Sequence, residues 1–428
     1  TGAQIKGPIP LPTKKEVFTD HKDGIVSTPE KEDSSFHDSV GVFEEEINQI
    51  TKQGFQLLNV CDCLNDINSV FQYPPNRKYF DKDSSLLTKE FYGHTSMAIG
   101  GLGIGWGANC AEFDDDDLDD FLINENDINP FYEKISKRIK ISGNSSDDLS
   151  RHLGENTILN PPIDLSLHDQ LILKKSKKYQ KTLEKRGIII GRSRMAVKTN
   201  NTDSDSCTYC GRCLWGCEIG AIYNPIETIK ECQTYNNFIH LNGWRVEDFE
   251  IKDRRLVGVN CISVKNFEKK QFNSENFILA AGAINSGKIY LKTIYKDPNY
   301  EKLKIGNKVE TKSILDTKTI KIPYVLPQLI GKKIPKSYFQ FNRLAMGILN
   351  NQLQEYPKFV QGEILSLNSL LYHPLIESLP FGTKMSSSIF SLLHAGLGVV
   401  TLFFPDIPSK NKKLRMSPEK FSIIYKET

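Results

Sequence analysis

The sequence has no uninterrupted apolar stretch long enough to cross a bilayer. Its longest run, Ile389 to Phe404, is broken by Ser391, His394, Gly396, Gly398 and Thr401 and falls short of the roughly 20 residues a spanning helix needs. It reads instead as a buried strand or helix. The opening residues, TGAQIKGPIPLPTKKEVF, show neither a basic region followed by an apolar one nor a twin-arginine signal, so no targeting segment is visible. Net charge is also scarce: 55 Lys and Arg against 52 Asp and Glu leave +3, with both signs interspersed. That balance carries no electrostatic footprint of a nucleic-acid or membrane partner. A secreted disulfide framework is missing too. Cys61, Cys63, Cys110, Cys232 and Cys261 are scattered singly or as C-x-C, which fits a reducing, cytoplasmic compartment better than an oxidising one.

What is present begins with Cys207 to Cys217, CTYCGRCLWGC, where four of the nine cysteines fall within eleven residues. The spacing C-x2-C-x2-C-x3-C is that of iron–sulfur ferredoxin loops. Cys207, Cys210, Cys213 and Cys217 can converge on one centre only if the backbone curls tightly, and Gly211 and Gly216 permit the curl. Four thiolates then bind one iron–sulfur centre, or three bind it with Cys232 or Cys261 completing the set. Zinc, which also takes four thiolates, and unligated cysteines are the alternatives. Glu218 stands where a proline usually follows such a run.

Residues 100 to 109, GGLGIGWGAN, hold five glycines in ten. Such a stretch lets backbone approach a ligand closely; the alternative is a flexible loop, against which Trp106 and its apolar neighbours argue. Six aspartates between Asp114 and Asp120 read as a solvated helix entry, because the spaced calcium-loop pattern is absent. Pro130 predicts the start of a helix over FYEKISKRIKI, and Pro225 the start of another after the cysteine loop. Helical periodicity also begins near Phe43 and returns over 168–186.

From Trp244 the period changes to two. WRVEDFEI, a DRR turn, LVGVNCISV and a further turn at NFEKK predict a β-meander. It leads into NFILAAGAINSGKIYL at 276–291, read as a buried strand at Phe277–Leu279, a small-residue turn and a helix. Such a turn offers free N–H groups to an anion, or simply packs strand on helix. TIKIPYVL and GVVTLFF predict later strands, and NSLLYHPLIESL a helix. His373 and His394 sit in apolar surroundings and read as core residues rather than catalysts.

Taken in order, GGLGIGWGAN, CTYCGRCLWGCEIGAIY and NFILAAGAINSGKIYL resemble the glucose–methanol–choline (GMC) family of flavoprotein oxidoreductases. The resemblance implies an α/β, FAD-binding fold with a parallel core, interrupted by a substrate domain of antiparallel strands. It places Gly100, Gly101, Trp106, Gly107, Ala108 and Asn109 at the isoalloxazine ring, and Ala281, Gly282 and Ala283 beside the cofactor. The GG-x4-W pattern looks most like the pyranose-oxidase branch, whose residue before the Trp is a flavin-linking His; here it is Gly105, so FAD is expected to bind without a covalent bond. The cysteine loop resembles sugar and sugar-acid dehydrogenases that pass electrons from FAD to an iron–sulfur centre. On this reading residues 1–40 form an extended N-terminal segment, 41–308 an FAD-binding core, and 309–428 a substrate-domain portion. The implied activity is oxidation of a CH–OH group of a sugar or related alcohol, with electrons handed to an acceptor protein or small acceptor. An electron-transfer or structural metal module with a decayed flavin site is the alternative. Neither the family's N-terminal G-x-G-x-x-G nor its C-terminal His segment occurs, so both ends look cut off and the catalytic base is unassigned.

Overall fold

The computed structural model describes residues 91, 95–118, 123–200, 202–211, 213, 217, 219–333, 338–349, 359–366, 381–406, 408–418 and 420–426. The segment 1–40, the helix expected from Phe43, Cys61, Cys63, and His373 with NSLLYHPLIESL lie outside these residues.

Helix α1 (Glu125–Ile139) begins at a reciprocal cap, in which the Asn124 side chain accepts from the Asp127 N–H and the Asp127 carboxylate accepts from the Asn124 N–H. Because that pair satisfies two N–H groups with no intrahelical partner, the helix starts five residues ahead of Pro130 and carries the proline inside it, correcting the expected start. The aspartate run supplies a short helical turn, Asp115–Leu118, as read. Strand β1 (Ile141–Ser142) pairs parallel with β2 (Leu159–Asn160) and antiparallel with β4 (Met195–Ala196). Between them come α2 (Leu167–Lys178), capped by Ser166 and Asp169, and β3 (Ile188–Arg192). Pro225 does open α3 (Pro225–Cys232), with Asn224 capping the Ile226 N–H.

The meander forms as its period-two pattern predicts: β5 (Trp244–Lys252), β6 (Arg255–Ser263) and β7 (Lys269–Asn273) pair in sequence order. Asp253 and Arg254 turn the first hairpin with φ of 49° and 63°, the left-handed geometry that two-residue turns require. Helix α4 (Ala283–Lys296) lies on β5 and reaches a second sheet of β8 (Val309–Glu310), β13 (Lys412–Met416) and β14 (Phe421–Tyr425). Leu291, Ile294, Val309, Leu414 and Ile423 fill the space between them. Gly287 lets the helix come that close: a Cβ there would stand 2.2 Å from Leu414 Cδ1.

The largest sheet has five antiparallel strands in the order β3, β10 (Leu344–Leu349), β11 (Phe359–Ser366), β12 (Leu397–Phe404), β9 (Lys318–Val325). Along β11 the even residues Val360, Gly362, Ile364 and Ser366 are buried and the odd ones half-buried, the odd face packing with Ala345 against Leu149 and Leu153. Helix α5 (Thr383–Leu393) and a 3₁₀ turn at His394–Gly396 lead into β12, which divides the longest apolar run between helix and strand. Burial pushes the His394 imidazole down to about 4, so it is neutral, in keeping with a core residue. No helix among the described residues is long and apolar enough to cross a membrane.

The fold is thus mixed helix and sheet with antiparallel strands. Two expectations differ. Among the described residues the only parallel strand pair is β1 with β2, so the parallel core is not found there. Phe277–Leu279 is not a strand; no described strand pairs with it, although Phe277 packs edge-on against Phe249 of β5, and Ile278 is 93% exposed.

Gly187 closes the edge of the large sheet, accepting from the Leu349 N–H at 2.7 Å with φ of +69°. A Cβ there would meet the Leu349 carbonyl oxygen at 2.3 Å. Gly187→Ala should therefore cost about 2 kcal/mol or more, from left-handed strain and the forced shift of a neighbouring strand. Urea unfolding measures it, and a midpoint equal to wild type would show that the strand end yields freely.

Candidate functional site

The glycine-rich segment is held by the turn that follows the cysteine loop. Gly100 and Gly101 have φ of 91° and 58°, and Gly101–Gly105 coils as a 3₁₀ turn. A Cβ on Gly103 would come within 2.6 Å of Pro225 Cγ, so only glycine lets the turn lie on the start of α3. Trp106 donates its indole N–H to the Tyr223 carbonyl at 2.9 Å and meets the Tyr223 ring edge-on. Ala108 is fully buried with φ of 60°, and its carbonyl accepts from the Ala196 N–H at 2.7 Å. Gly107, by contrast, has no atom within 4 Å of where a Cβ would stand. Asn109 bridges to Met195 and sends its side-chain amide to Glu363 Oε1 of β11, 3.1 Å away.

A buried guanidinium fixes this register. Arg194 donates to the carbonyls of Leu153, Ser150 and Gly154 at 2.8, 3.0 and 2.6 Å, and lies 3.8 Å from Glu112. Glu112 in turn accepts from the Asn156 and Thr157 side chains. Backbone bonds from Cys110 N–H to the Arg194 carbonyl and from Glu112 N–H to the Leu153 carbonyl complete the clasp. The chain through 108–112 is therefore sandwiched between β4 and the 150–154 turn.

The cysteine loop is an excursion closed at its neck, where Val197 bridges Ile222 and the Cys207 N–H donates to the Lys198 carbonyl. Its four thiols share one neighbourhood but different surroundings. Cys213 is buried among Ala108, Phe339 and Phe341, and its Sγ accepts from the Gln340 N–H at 3.5 Å. Cys210 is exposed and bridges Tyr338 along the backbone, while Cys207 and Cys217 are half-buried. Burial, reinforced by the neighbouring thiols, pushes Cys207 up to about 11 and Cys213 and Cys217 upward as well. Among the described residues no group of three or more His, Cys, Asp or Glu is placed to hold a metal ion. Cys213 is buried and Cys210 exposed, so the four thiols, a donor set that suits iron or zinc, stand in unlike surroundings.

The third stretch lines a cavity of about 530 Å³. Phe277, Ala280 and Ala281 form one side, Phe249 and Ile289 the floor, and Met97, just ahead of Gly100, reaches it from the glycine-rich segment. Arg245, Glu247, Asn285, Lys288 and Lys292 supply its polar edge, with Glu247 paired to both Arg245 and Lys292. Gly282 caps α4 with φ of 79°, no side chain caps it, and the first turn has no acidic residue, so the helix start is open to an anion. Apolar walls, Lys288 and the uncapped helix start are the features of the cavity that suit a ring cofactor with an anionic end. The described structure thus joins Met97, Ala281 and the Ala283 helix start, and separately joins Trp106, Ala108 and Asn109 to the cysteine loop. Glu363, Arg194 and Glu112 were not singled out from sequence; a lone glutamate inside the apolar alternation FVQGEILS was the available signal for the first.

Met97, three residues ahead of the glycine-rich segment, thus shares one cavity with the small-residue stretch before α4. Residues 122–309 match the family model described as GMC oxidoreductase. No curated protein sequence matches it. Among solved structures it is similar to an FAD-dependent oxidoreductase from Chaetomium thermophilum, with 13% identity, 81% of this chain and 69% of that one covered, and a TM-score of 0.41. It is also similar to pyridoxine 4-oxidase from Mesorbium loti, with 10% identity, 77% and 61% covered, and a TM-score of 0.42. The chain therefore spans less than two thirds of the second structure's length.

Removing one partner of a buried charge pair leaves the other unsatisfied and typically costs about 3–5 kcal/mol. Arg194→Ala should lose stability of that order, and pairing Arg194→Met with Glu112→Gln should recover most of it. Chemical denaturation of the single and double variants checks this. A single variant within about 1 kcal/mol of wild type would mean that the clasp does not hold the 108–112 segment.

Proposed function

We propose that this chain is part of an FAD-dependent oxidoreductase that oxidises a CH–OH group of a sugar or related alcohol. The observation that carries the reading is the meeting of Met97, ahead of the glycine-rich segment, with Ala280 and Ala281 at one cavity edged by Arg245, Lys288 and Lys292. When bound, FAD supplies the two-electron acceptor for the carbon-bound hydrogen of the alcohol. The chain's own part is to hold and orient. Lys288 and the uncapped start of α4 are suited to phosphate oxygens, and Ala281, Gly282 and Ala283 leave room beside them. Gly100, Gly101, Trp106, Gly107, Ala108 and Asn109 would face the ring, with Gly107 free of neighbouring atoms. A pocket walled by Trp106 keeps water from the reacting carbon.

A second element of the reading concerns the acceptor. Cys207, Cys210, Cys213 and Cys217 lie close enough for the thiols to influence one another, which favours an iron–sulfur centre that would relay electrons to a protein or small acceptor. A Cys213 thiolate bound to such a centre could keep the Gln340 N–H bond, since cluster sulfurs accept hydrogen bonds. No step of the chemistry is derived through it.

One preparation tests both points. With glycine at 105, no side chain there can bond the flavin, so anaerobically purified protein should release its FAD on acid precipitation and leave a colourless pellet. Iron and sulfide in stoichiometric amounts would support the cluster. A yellow pellet contradicts the non-covalent reading, and protein free of iron and sulfide makes the cysteine loop a packing element.

A further inference from the structure

Several surface cations of this chain are matched by carboxylates. Lys137 meets Glu133 one turn away, Arg138 meets Glu231, and Lys198 meets Asp205 and Glu227. The outer side of α2 is built differently. Lys174, Lys177, Lys178, Lys181 and Lys185 are all exposed, and their three- and four-residue spacing sets them on one face of a continuing helix. The continuation is the short helix Gln180–Glu184, joined through Tyr179, whose carbonyl accepts from the Leu183 N–H at 3.0 Å. Lys175 and Arg186, also exposed, flank this stripe. Among the described residues none of these cations meets a carboxylate; Asp148 and Glu184, the acids beside them, both accept from Gln180 Nε2.

Folding alone does not ask for such a stripe. The helix dipole favours cations in the last turn of α2, which accounts for Lys175, Lys177 and Lys178 but not for those that follow. Like charges four residues apart, Lys174 with Lys178, Lys177 with Lys181 and Lys181 with Lys185, weaken a helix. The opposite side of α2 holds the buried His168 and Asp169 and the half-buried Ile172 and Ser176, so the helix is packed on its own protein and keeps no continuous apolar face for a lipid surface. The exposed Tyr179 ring has the Lys178 ammonium 5.5 Å from its centre.

The basic face adjoins the cysteine loop. The Asp164 N–H, just ahead of the Ser166 cap of α2, donates to the Tyr209 hydroxyl at 3.0 Å, and Tyr209 lies between Cys207 and Cys210. Lys175 Nζ stands 3.4 Å from Gln328 Oε1; further along that stretch come the exposed Lys332 and Lys333, and then Tyr338, which bridges Cys210. Cys210 is the exposed member of the four thiols. At 1.5 Å per residue the stripe begins about 12 Å from the Ser166 cap and runs for about 16 Å, a length that the roughly 800 Å² footprint of a docked protein spans.

We propose that this basic surface docks an acidic one-electron carrier protein and brings its redox centre to the Cys210 edge of the cysteine loop. The proposal deepens the acceptor reading above and rests on it. Charge complementarity selects the partner: a row of unpaired lysines steers and orients a protein whose Asp and Glu side chains cluster around its redox centre. The electrons balance. Oxidation of one alcohol to a carbonyl releases two electrons and two protons; two oxidised carriers take one electron each and are reduced, and the protons pass to solvent.

The test uses the FAD-loaded full chain, photoreduced without oxygen so that no alcohol has to be known, with plastocyanin, an acidic copper protein, as the carrier. Its reduction should slow steeply with added salt and fall by about 10-fold or more in Lys177→Glu/Lys181→Glu/Lys185→Glu. Glutamine at the same three positions should give an intermediate loss, and serves as the readout if the Glu variant does not fold. FAD content and reduction of an uncharged quinone should stay at wild-type values, and the basic carrier cytochrome c should react faster with the Glu variant than with wild type. Titration calorimetry of oxidised plastocyanin into the oxidised protein reads docking by itself. Variants that bind and reduce plastocyanin as wild type does overturn the proposal. So does wild-type protein that fails to bind it at low salt, or that uses these lysines to hold phosphatidylserine vesicles or duplex RNA instead. Lysine-dependent binding with electrons reaching the quinone but not plastocyanin overturns the electron step, whereas electrons reaching neither defeat the acceptor reading itself.

Discussion

The Arg194 guanidinium is the contact on which the candidate site depends. It is nearly inaccessible, and it gathers three carbonyls of one turn together with the Glu112 carboxylate. A charge so placed is tolerated only because the surrounding acceptors replace its water. Those same acceptors belong to the elements that must be registered against one another: the 150–154 turn, the tail of the glycine-rich segment and β4. Ala108 can be held in a left-handed conformation because bonds on both sides of it over-determine its backbone. Asn109 then has one place to put its amide, and that place is β11.

Two assemblies follow from this. One joins the glycine-rich segment, the neck of the cysteine loop and the face of the five-stranded sheet that carries Glu363. The other joins the β5–β7 meander, helix α4 and the β8–β13–β14 sheet around a cavity edged by basic side chains. Met97 belongs by sequence to the first and lines the cavity of the second. A cofactor with an anionic end and a flat reactive end is the type of molecule that two such neighbouring regions can share.

Much of this was legible in the sequence where the signal is local. The meander was visible because alternation and turn chemistry act within a few residues, and Pro225 marked a helix start because its ring presets the backbone there. Local signals also misled. Pro130 was outranked by the reciprocal cap of Asn124 and Asp127. Phe277–Leu279 has the composition of a buried strand, yet a strand needs a hydrogen-bonded partner, and among the described residues it has only the ring contact with Phe249. The cysteine spacing defines a donor set but not where each sulfur points; Cys213 is drawn inward by Phe339 and Phe341, more than a hundred residues on. Glu363 was illegible for the same reason, since its meaning comes from Asn109, 254 positions away.

The central claim is that segments far apart in sequence build one flavin site. Hydrogen–deuterium exchange of the protein with and without saturating FAD tests it most directly. The account predicts slower exchange in two places at once, over 97–109 and over 280–288, with the β8–β13–β14 sheet unchanged. Exchange that is the same with and without FAD in both segments, or protection confined to one of them, would contradict it.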